Sequence, residues 1–253
     1  MSKVILVTGA SRGIGRDTAL LAAERGYAVA VNYVSNRAKG EEVVAEISKS
    51  GGTAVLFQAN VARRDEVARM FAEIDKQFGR LDALVNNAGV GFTQGRLDST
   101  KPAHMVATFE VNVFGLFYCL QEAVLRMSTR HGGKGGSIVN VSSAAARNGG
   151  SGAFIDYAGS KAAVDVITTG LAKEVGGEGI RVNGVRPGVT ETDMIQYARE
   201  ADPRWLEQVL KTMPMGRTGN VREISHCILW LLSDEASYVT GSIIDASGGR
   251  VTA

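Results

Sequence analysis

The stretch KVILVTGASRGIG, Lys3 to Gly15, joins a short apolar run to a turn that holds glycines at positions 9, 13 and 15. An apolar run of this length, followed by a glycine-rich turn, predicts a buried strand that leads into a helix. At such a turn the free backbone N–H groups and the helix dipole attract an anion. The glycines allow the backbone to approach that anion closely. The stretch therefore predicts a first strand, a phosphate-binding loop and a first helix.

The same alternation of short apolar runs and amphipathic segments continues along the whole chain. The helical segments include residues 65–79 and 221–233. Strands separated by helices predict right-handed crossovers and a parallel sheet covered on both faces. The predicted strands are 3–8, 28–33, 53–58, 82–87, 136–141, 180–185 and 241–246. We expect an α/β fold and one domain over residues 1–253, because the sequence has no internal repeat and no linker.

Composition excludes several classes of protein. The 253 residues are 45% hydrophobic and 21% charged, and the formal net charge is +2. This charge is too small to predict binding to nucleic acid or to an anionic membrane. The sequence shows no apolar run near the roughly 20 residues of a membrane span. Cys119 and Cys227 are far apart, and the three histidines form no metal-binding motif, so we expect no metal site and a reducing, cytoplasmic location.

The letters GASRG at 9–13 also match G-x-S-x-G, the nucleophile elbow of α/β-hydrolases. Ser11 would then be the nucleophile. That interpretation requires earlier strands to build an oxyanion hole and a histidine on a late loop. No strand is predicted before residue 3, and His226 falls inside a helical segment. We therefore favour the anion-binding interpretation.

Several motifs occur together in one order. They are TGASRGIG at 8–15, NNAG at 86–89, the Tyr157-x-x-x-Lys161 pair and Pro187-Gly188. In this order and at these spacings they resemble the short-chain dehydrogenase/reductase family over essentially the whole chain. Residues 238–249 resemble that family's last strand. The resemblance implies a Rossmann-like, doubly wound parallel sheet of about seven strands, a nicotinamide cofactor, hydride transfer to or from a carbonyl or alcohol, and a homotetramer.

Tyr157 and Lys161 are four residues apart, so on a helix they share one face. An ammonium beside a phenol favours phenolate and lowers a pKa that starts near 10. A phenol tuned in this way can exchange a proton with a carbonyl oxygen. The resemblance adds Ser143, rather than its neighbour Ser142, as the hydrogen-bond partner of the substrate oxygen. It also adds Asn112, which helps to hold a water near Lys161.

The type of nicotinamide cofactor depends on the end of the second strand. A free 2′-hydroxyl is usually met there by an acidic residue, whereas a 2′-phosphate needs positive charge. This strand ends in Asn32 and Tyr33, which we expect to contact the cofactor, and no carboxylate follows directly. Arg12 and Arg37 are placed to converge on a 2′-phosphate, and each charge-assisted hydrogen bond contributes about 1.5–3 kcal/mol. We therefore predict NADP(H) over NAD(H).

The resemblance implies further cofactor contacts in five segments. These are Gly9, Ser11, Gly13, Ile14 and Gly15 in the turn; Asn60 and Val61 after the third strand; Asn87, Ala88 and Gly89 in NNAG; Tyr157 and Lys161; and Pro187, Gly188, Thr190 and Thr192.

The substrate is less well defined by the sequence. A mixed apolar group fits either a lid over a small carbonyl compound or a helix face packed on the domain or another subunit. The group is Met194, Ile195, Tyr197, Trp205, Leu206 and Met213. The chain also resembles 3-oxoacyl carrier-protein reductases, which dock an acidic carrier on basic residues. Candidates for docking are Arg126, Arg130, His131 and Lys134, with Glu178 opposing them. Two further functions stay open, namely a sugar or polyol dehydrogenase and an NADP-binding regulator without chemistry.

Overall fold

A computed structural model describes residues 2–91, 95–151, 153–192 and 203–250 of the chain. Within them, seven parallel strands form one sheet in the order β3-β2-β1-β4-β5-β6-β7. The strands are β1 Val4–Val7, β2 Ala28–Tyr33, β3 Ala54–Gln58, β4 Ala83–Asn86, β5 Gly136–Val141, β6 Ile180–Pro187 and β7 Ile243–Ala246. Each predicted strand is present, and the expected doubly wound, Rossmann-like architecture is confirmed.

The strand order reverses between β1 and β4, which pair in register from Ile5 opposite Ala83 to Val7 opposite Val85. The chain runs outward through β2 and β3 and then returns to the other side of β1. At such a reversal the loops that follow two neighbouring strands diverge to opposite faces of the sheet. They leave a crevice at the carboxyl ends of the strands, where ligands bind in folds of this type.

Helices cover both faces of the sheet. They are α1 Gly13–Glu24, α2 Arg37–Lys49, α3 Arg64–Phe78, α4 Pro102–Phe109, α5 Gly115–Met127, α6 Ala145–Asn148, α7 Ile155–Val175, α8 Pro203–Lys211 and α9 Val221–Leu232. The predicted helix 65–79 begins one residue earlier, at Arg64. It ends at Phe78, because Gly79 adopts φ 71° as its cap. The predicted helix 221–233 begins at a capping box formed by Asn220 and Glu223.

Alternate residues of each central strand enter two separate cores. Val4 and Leu6 of β1 pack with helices α3, α5 and α7, whereas Ile5 and Val7 pack with α1, α2 and α9. All four side chains are buried. The uniformly apolar strand sequences follow from this arrangement, because a parallel sheet with helices on both faces has no solvent side.

The helical run Pro102–Met127, which comprises α4, a π-helical turn and α5, is long and apolar enough by composition to cross a membrane. The sequence has no uninterrupted apolar run of this length, but the helical run as a whole reaches it. One side of the run supplies the core of the domain, through Leu116, Leu120 and Met127. It also carries Glu122 and Arg126, which form an ion pair. We interpret it as a core helix with one exposed apolar side.

Two glycine substitutions of the same kind are expected to have opposite effects on stability. A Cβ on Gly15 in α1 would lie 2.5 Å from the carbonyl oxygen of Gly9 and closer still to Asn87 Nδ2, whereas a Cβ on Gly176, the helical cap residue at the end of α7, would meet no atom within 4 Å. Gly15→Ala should cost about 1–3 kcal/mol through overpacking. Gly176→Ala should stabilise by about 0.5–1 kcal/mol, because alanine loses less backbone entropy than glycine in a helical conformation.

Urea unfolding of both variants and the parent at one protein concentration measures the difference. A midpoint for Gly15→Ala that is equal to or higher than that of the parent would contradict the packing described for Gly15.

Candidate active site

The glycine turn lies at the crevice beside β4, and the NNAG segment holds it there. Gly9 and Gly13 adopt φ values of 62° and 55°, in the left-handed region that favours glycine. The side chain of Asn87 donates to the carbonyl oxygens of Thr8 (2.9 Å) and Gly9 (3.2 Å). The two loops that follow β1 and β4 are therefore joined directly. Asn87 acts here on the protein itself, beside the cofactor contact that the resemblance assigns to it.

Thr8 completes this connection, although the sequence motifs gave it no role of its own. Its buried hydroxyl donates to the carbonyl of Val85 at 3.3 Å and accepts hydrogen bonds from the amides of Asn87 and Ala88, both at 3.0 Å. One hydroxyl thus satisfies three backbone groups where two strands end. The sequence could have indicated this role. Thr8 is the last residue before the turn, and a threonine hydroxyl both donates and accepts hydrogen bonds.

The side chain of Asn32 supports the glycine turn from β2. It is fully buried. Its carbonyl oxygen accepts from the amide of Gly9 at 3.1 Å, and its NH₂ group donates to the carbonyl of Ala59 at 3.0 Å. A side chain with all its polar atoms turned inward offers none to a ligand. The cofactor contact predicted for Asn32 would therefore be made by its backbone, and Tyr33 beside it is also buried.

The residues of the turn fit the pyrophosphate of a dinucleotide. The turn opens directly into α1, whose first amides carry no intrahelical partner. A Cβ on Gly9 would stand only 3.0 Å from Ala88 Cα, so this position tolerates no side chain. Thr192 approaches the same turn, because a Cβ on Gly13 would lie 3.5 Å from its methyl group. Ser11 and Ile14 are partly buried in the turn, and Arg12 is exposed at its outer side.

The predicted adenine end is formed by the residues that follow β2 and β3. Asn60 accepts the amide of Ala62 at 3.1 Å, and its own amide donates to Glu66 at 2.8 Å. Val61 is buried in the core. Arg37 is exposed at the first position of α2 and pairs with Glu41 at 2.7 Å. This edge of the crevice therefore presents an arginine that forms a surface ion pair on its own helix.

Tyr157 and Lys161 lie on α7 beside the end of β5. The Lys161 ammonium is 5.8 Å from the centre of the Tyr157 ring. Ser143, just after β5, lies close enough to the Tyr157 phenol to act on its pKa, and its Oγ accepts from the amide of Ala145 at 3.1 Å. The ring is held edge-on by Phe154, with centroids 5.9 Å apart. Ser142, by contrast, is buried and donates to the Lys161 carbonyl at 3.0 Å, so the two serines have separate roles.

The pKa of Tyr157 does not follow the expectation drawn from its spacing to Lys161. Burial raises the pKa of the phenol above its ordinary value, and the hydrogen bond from Ser143 opposes that rise. The nearby Lys161 Nζ donates to the carbonyl of Val141 at 2.8 Å. Burial in turn lowers the pKa of Lys161 to about 8, while Asp165 raises it.

Asn112 lies in the π-helical turn Glu110–Phe114 between α4 and α5. Its carboxamide pairs with the backbone of Val90, accepting the amide at 2.8 Å and donating to the carbonyl at 2.9 Å. It also donates to Ser160 at 3.0 Å. Gly89 lies next to both Asn112 and Lys161, since a Cβ on Gly89 would be 3.3 Å from Asn112 Oδ1 and 3.3 Å from Lys161 Nζ. Asn112, Ser143, Tyr157 and Lys161 thus converge on one end of the crevice. Ser160 and Val90 were not predicted.

The segment after β6 approaches the same end. The carbonyl of Pro187 accepts the amide of Ala144 at 2.9 Å, next to Ser143, and Gly188 donates to Ala246 of β7 at 2.9 Å. The Thr190 hydroxyl is buried and donates to the Gly188 carbonyl at 3.1 Å. Any contact of Thr190 with a ligand would therefore be made by its backbone.

The proposed lid falls partly outside the described residues. Met194, Ile195 and Tyr197 lie there, and the Trp205 side chain is likewise not described. Met213 is buried in a small apolar cluster with Val189 and Val209. Leu206 is partly buried. Met213 is therefore a packing residue of the domain, which favours the packing interpretation at the end of this segment.

The hydrolase site that the letters GASRG suggested is not assembled. His226 is exposed on α9 and lies 3.3 Å from Arg25, just beyond the end of α1. Ser11 precedes the start of the same helix. The 12 residues of α1 span about 18 Å, so the serine and histidine lie near opposite ends of it.

Comparison with known proteins agrees with this geometry. A family model described as enoyl-(acyl carrier protein) reductase matches residues 9–250. An uncharacterized oxidoreductase, YgfF of Escherichia coli (strain K12), is 49% identical over 98% of this chain and 99% of its own length. The 3-oxoacyl-[acyl-carrier-protein] reductase FabG of Staphylococcus aureus (strain Mu50) is 41% identical over 98% of each chain.

A solved structure shares the fold closely. A mutant of a Serratia marcescens short-chain dehydrogenase/reductase superposes with a TM-score of 0.90 at 32% identity over 98% of each chain. The motifs, the strand order and these relatives agree with one another. The chain therefore belongs to the short-chain dehydrogenase/reductase family of nicotinamide-dependent oxidoreductases.

Proposed function

We propose that this protein is an NADP(H)-dependent oxidoreductase that transfers hydride between the nicotinamide and a small carbonyl or alcohol substrate, with Tyr157 as general acid/base. One observation carries the proposal. The Tyr157 phenol lies near Ser143, which acts on its pKa, and beside the buried Lys161, at the end of the crevice opened by the glycine turn. The 49% identical relative is itself named only as an oxidoreductase.

The residues of the crevice would have separate roles in carbonyl reduction. The turn Gly9–Gly15, Asn87 to Gly89 and the segment from Pro187 to Thr192 would hold the cofactor, which supplies or accepts the hydride when bound. Ser143 and Tyr157 would bind the carbonyl oxygen by hydrogen bonds. Tyr157 would donate its proton as negative charge develops on that oxygen, and it would accept a proton in the reverse direction. The Lys161 ammonium would stabilise the resulting phenolate, and Asn112 fixes the loop at Val90 behind it.

Turnover with NADPH should disappear when the phenol is removed. Purified protein would be given NADPH or NADH with ketones, diketones, quinones, aldehydes, sugars and β-ketoacyl thioesters on coenzyme A and on carrier protein. We expect oxidation of NADPH by at least one substrate, and we expect Tyr157→Phe to lower kcat by at least about 100-fold, the usual contribution of a general acid. Nicotinamide absorbance measures both.

Tyr157→Phe should still bind NADPH, which shows that the variant is folded. A variant that turns over as fast as the parent would contradict the assignment of Tyr157. Tight NADPH binding without turnover of any substrate would favour the regulator, and no binding of either nucleotide would contradict the cofactor site.

Two observations support NADP(H) over NAD(H). No carboxylate is present among the residues from the end of β2 to the start of α2, and Arg37 stands at that start. Its pair with Glu41 is an exposed i,i+4 pair, of a kind that contributes only about 0.3–0.5 kcal/mol and that a phosphate dianion would readily replace. Arg12 is exposed in the glycine turn on the other side of the crevice.

Arg12→Ala should weaken NADPH binding at least about tenfold more than NADH binding, because it removes one charge-assisted hydrogen bond to the 2′-phosphate. Fluorescence titration of both nucleotides measures the ratio. Arg16→Ala is the matched control. It removes a charge of the same sign from the first turn of α1, where Arg16 is directed to Glu46 of α2, so the two dissociation constants should move together. An equal loss of both nucleotides in Arg12→Ala would contradict NADP(H) preference at this residue.

A free small carbonyl compound fits the surface better than a carrier-bound substrate. Two of the four basic docking candidates are already paired with carboxylates. Arg126 binds Asp75 at 2.8 Å and Glu122 at 2.6 Å, and Arg130 lies 4.0 Å from Glu178. The 41% identical FabG keeps the 3-oxoacyl carrier-protein reductase as the second candidate function. Faster turnover of the carrier thioester than of the coenzyme A thioester would favour that candidate.

We also propose a homotetramer of single-domain subunits, because large apolar side chains are exposed on α7 and on the run Pro102–Met127. They include Val166 (74% exposed), Val106 (57%), Phe114 (49%) and Phe117 (42%). Apolar patches of this kind on a soluble protein mark association surfaces. A cytoplasmic location fits the free thiols of Cys119 and Cys227 and would be checked by cell fractionation.

Phe117→Glu should reduce the mass of the assembly measured by light scattering, since a charge on this surface would be desolvated by association. Leu97→Glu is the control, because Leu97 is similarly exposed (54%) but lies outside α7 and the run Pro102–Met127. A parent protein that is monomeric, or a Phe117→Glu variant of unchanged mass, would contradict this surface.

A further inference from the structure

Asp165 lies one helical turn beyond Lys161 on α7, on the side away from Tyr157. Residues at i and i+4 of a helix are side-chain neighbours, with Cβ atoms about 5–6 Å apart. Asp165 is buried (9% exposed), as is Lys161 (4%). A carboxylate in this position acts on the lysine through a medium that screens charge much less than water does.

The Asp165 carboxylate is anchored from β6. Arg186 Nε donates to its Oδ2 at 2.8 Å, and the same guanidinium reaches Asp245 of β7 at 3.3 Å. Asp245 in turn pairs with Arg147 of α6 at 3.1 Å. The second oxygen of Asp165 is buried and has no hydrogen-bond partner among the described residues. Arg186 therefore fixes the carboxylate without neutralising it fully.

The other groups around Lys161 are neutral. From β5 it meets the carbonyl of Val141. From the NNAG segment and the π-helical turn it faces Gly89 and Asn112 Oδ1. From its own helix it faces the Tyr157 ring. Among the described residues, Asp165 is the acidic group that acts on it, and Arg186 is the cation behind Asp165.

We propose that Asp165 is a positioning residue for this reaction, whose anchored carboxylate holds Lys161 in its ammonium form. The proposal rests on the proposed function, because the ammonium matters only if Tyr157 must pass through phenolate. Arg186 contributes by keeping Asp165 in place, and it stands directly before the Pro187-Gly188 segment that would hold the cofactor. One ion pair thus joins the catalytic helix to the strand that leads into the cofactor segment.

The sign of the effect follows from the charges. Burial lowers the pKa of Lys161 to about 8, so its ammonium is lost as the pH rises through that value. A negative charge nearby favours the ammonium, and removal of that charge lowers the pKa further. In Asp165→Asn, Lys161 should therefore become neutral at a lower pH, and the uncompensated Arg186 acts in the same direction.

Asp165→Asn tests this in two ways. Carbon-13 NMR of protein labelled at lysine Cε should show the Lys161 pKa lower by about one unit in the variant. Lys161→Met identifies the signal by its loss. With the best substrate, kcat/KM of Asp165→Asn should equal that of the parent near pH 6 and fall about fivefold below it at pH 8. Asp165→Glu should restore the parent profile in part.

Asp75→Asn is the matched control. It also removes an arginine-paired carboxylate from a helix, but at the carboxyl end of α3, where the carboxylate pairs with Arg126 of α5. It should leave the Lys161 titration unchanged. If Asp165→Asn does not fold, the double variant Asp165→Asn with Arg186→Met removes both members of the pair and should give a smaller shift in the same direction.

An unchanged Lys161 titration in folded Asp165→Asn would overturn the proposal, as would a loss of activity that is equal at every pH. The NMR titration uses cofactor-free protein, so it decides the role of Asp165 even if no substrate is turned over. In that case the proposed function fails separately from this inference.

Discussion

The pairing of β1 with β4 is the constraint on which the site depends. These strands are separated by two complete β-α units, yet they lie side by side, and the loops that follow them meet at the crevice. The hydroxyl of Thr8 and the carboxamide of Asn87 continue the strand pairing beyond the last ladder hydrogen bond. Because these two side chains satisfy backbone groups on both loops, they hold the glycine turn against the loop that follows β4.

A second consequence of the fold is that the charged form of Lys161 at the crevice costs folding free energy. Lys161 is buried among carbonyl and amide groups, and burial works against its charge. Such a site is stable only where hydrogen bonds and an opposite charge offset the lost hydration. The carbonyl of Val141 and the carboxylate of Asp165 supply these here. The domain therefore gives up some stability so that a charge is present beside a phenol.

Much of the architecture followed from the sequence. The seven strands were predicted within one or two residues at each end, because a buried parallel strand requires a short, continuous apolar run between helices. The order and spacing of the motifs also identified which residues belong to the site, because they resemble the order and spacing in the family. The roles within those motifs were less predictable. Asn32 had the right polarity for a ligand contact, but its carboxamide is turned inward to the Gly9 amide and the Ala59 carbonyl.

The sequence by itself determined the alternation of elements, the glycine turn and the i,i+4 pair of Tyr157 and Lys161, because each depends on residues close together in the chain. The tertiary structure decided what is brought together from afar. It placed Ser143 near the phenol, the Val141 carbonyl on the ammonium and Arg186 on Asp165. It also set the burial of Tyr157 and Lys161, and hence the direction of their pKa values. Burial and long-range contacts depend on how the helices and strands pack, and the spacing of residues along the chain does not predict that packing.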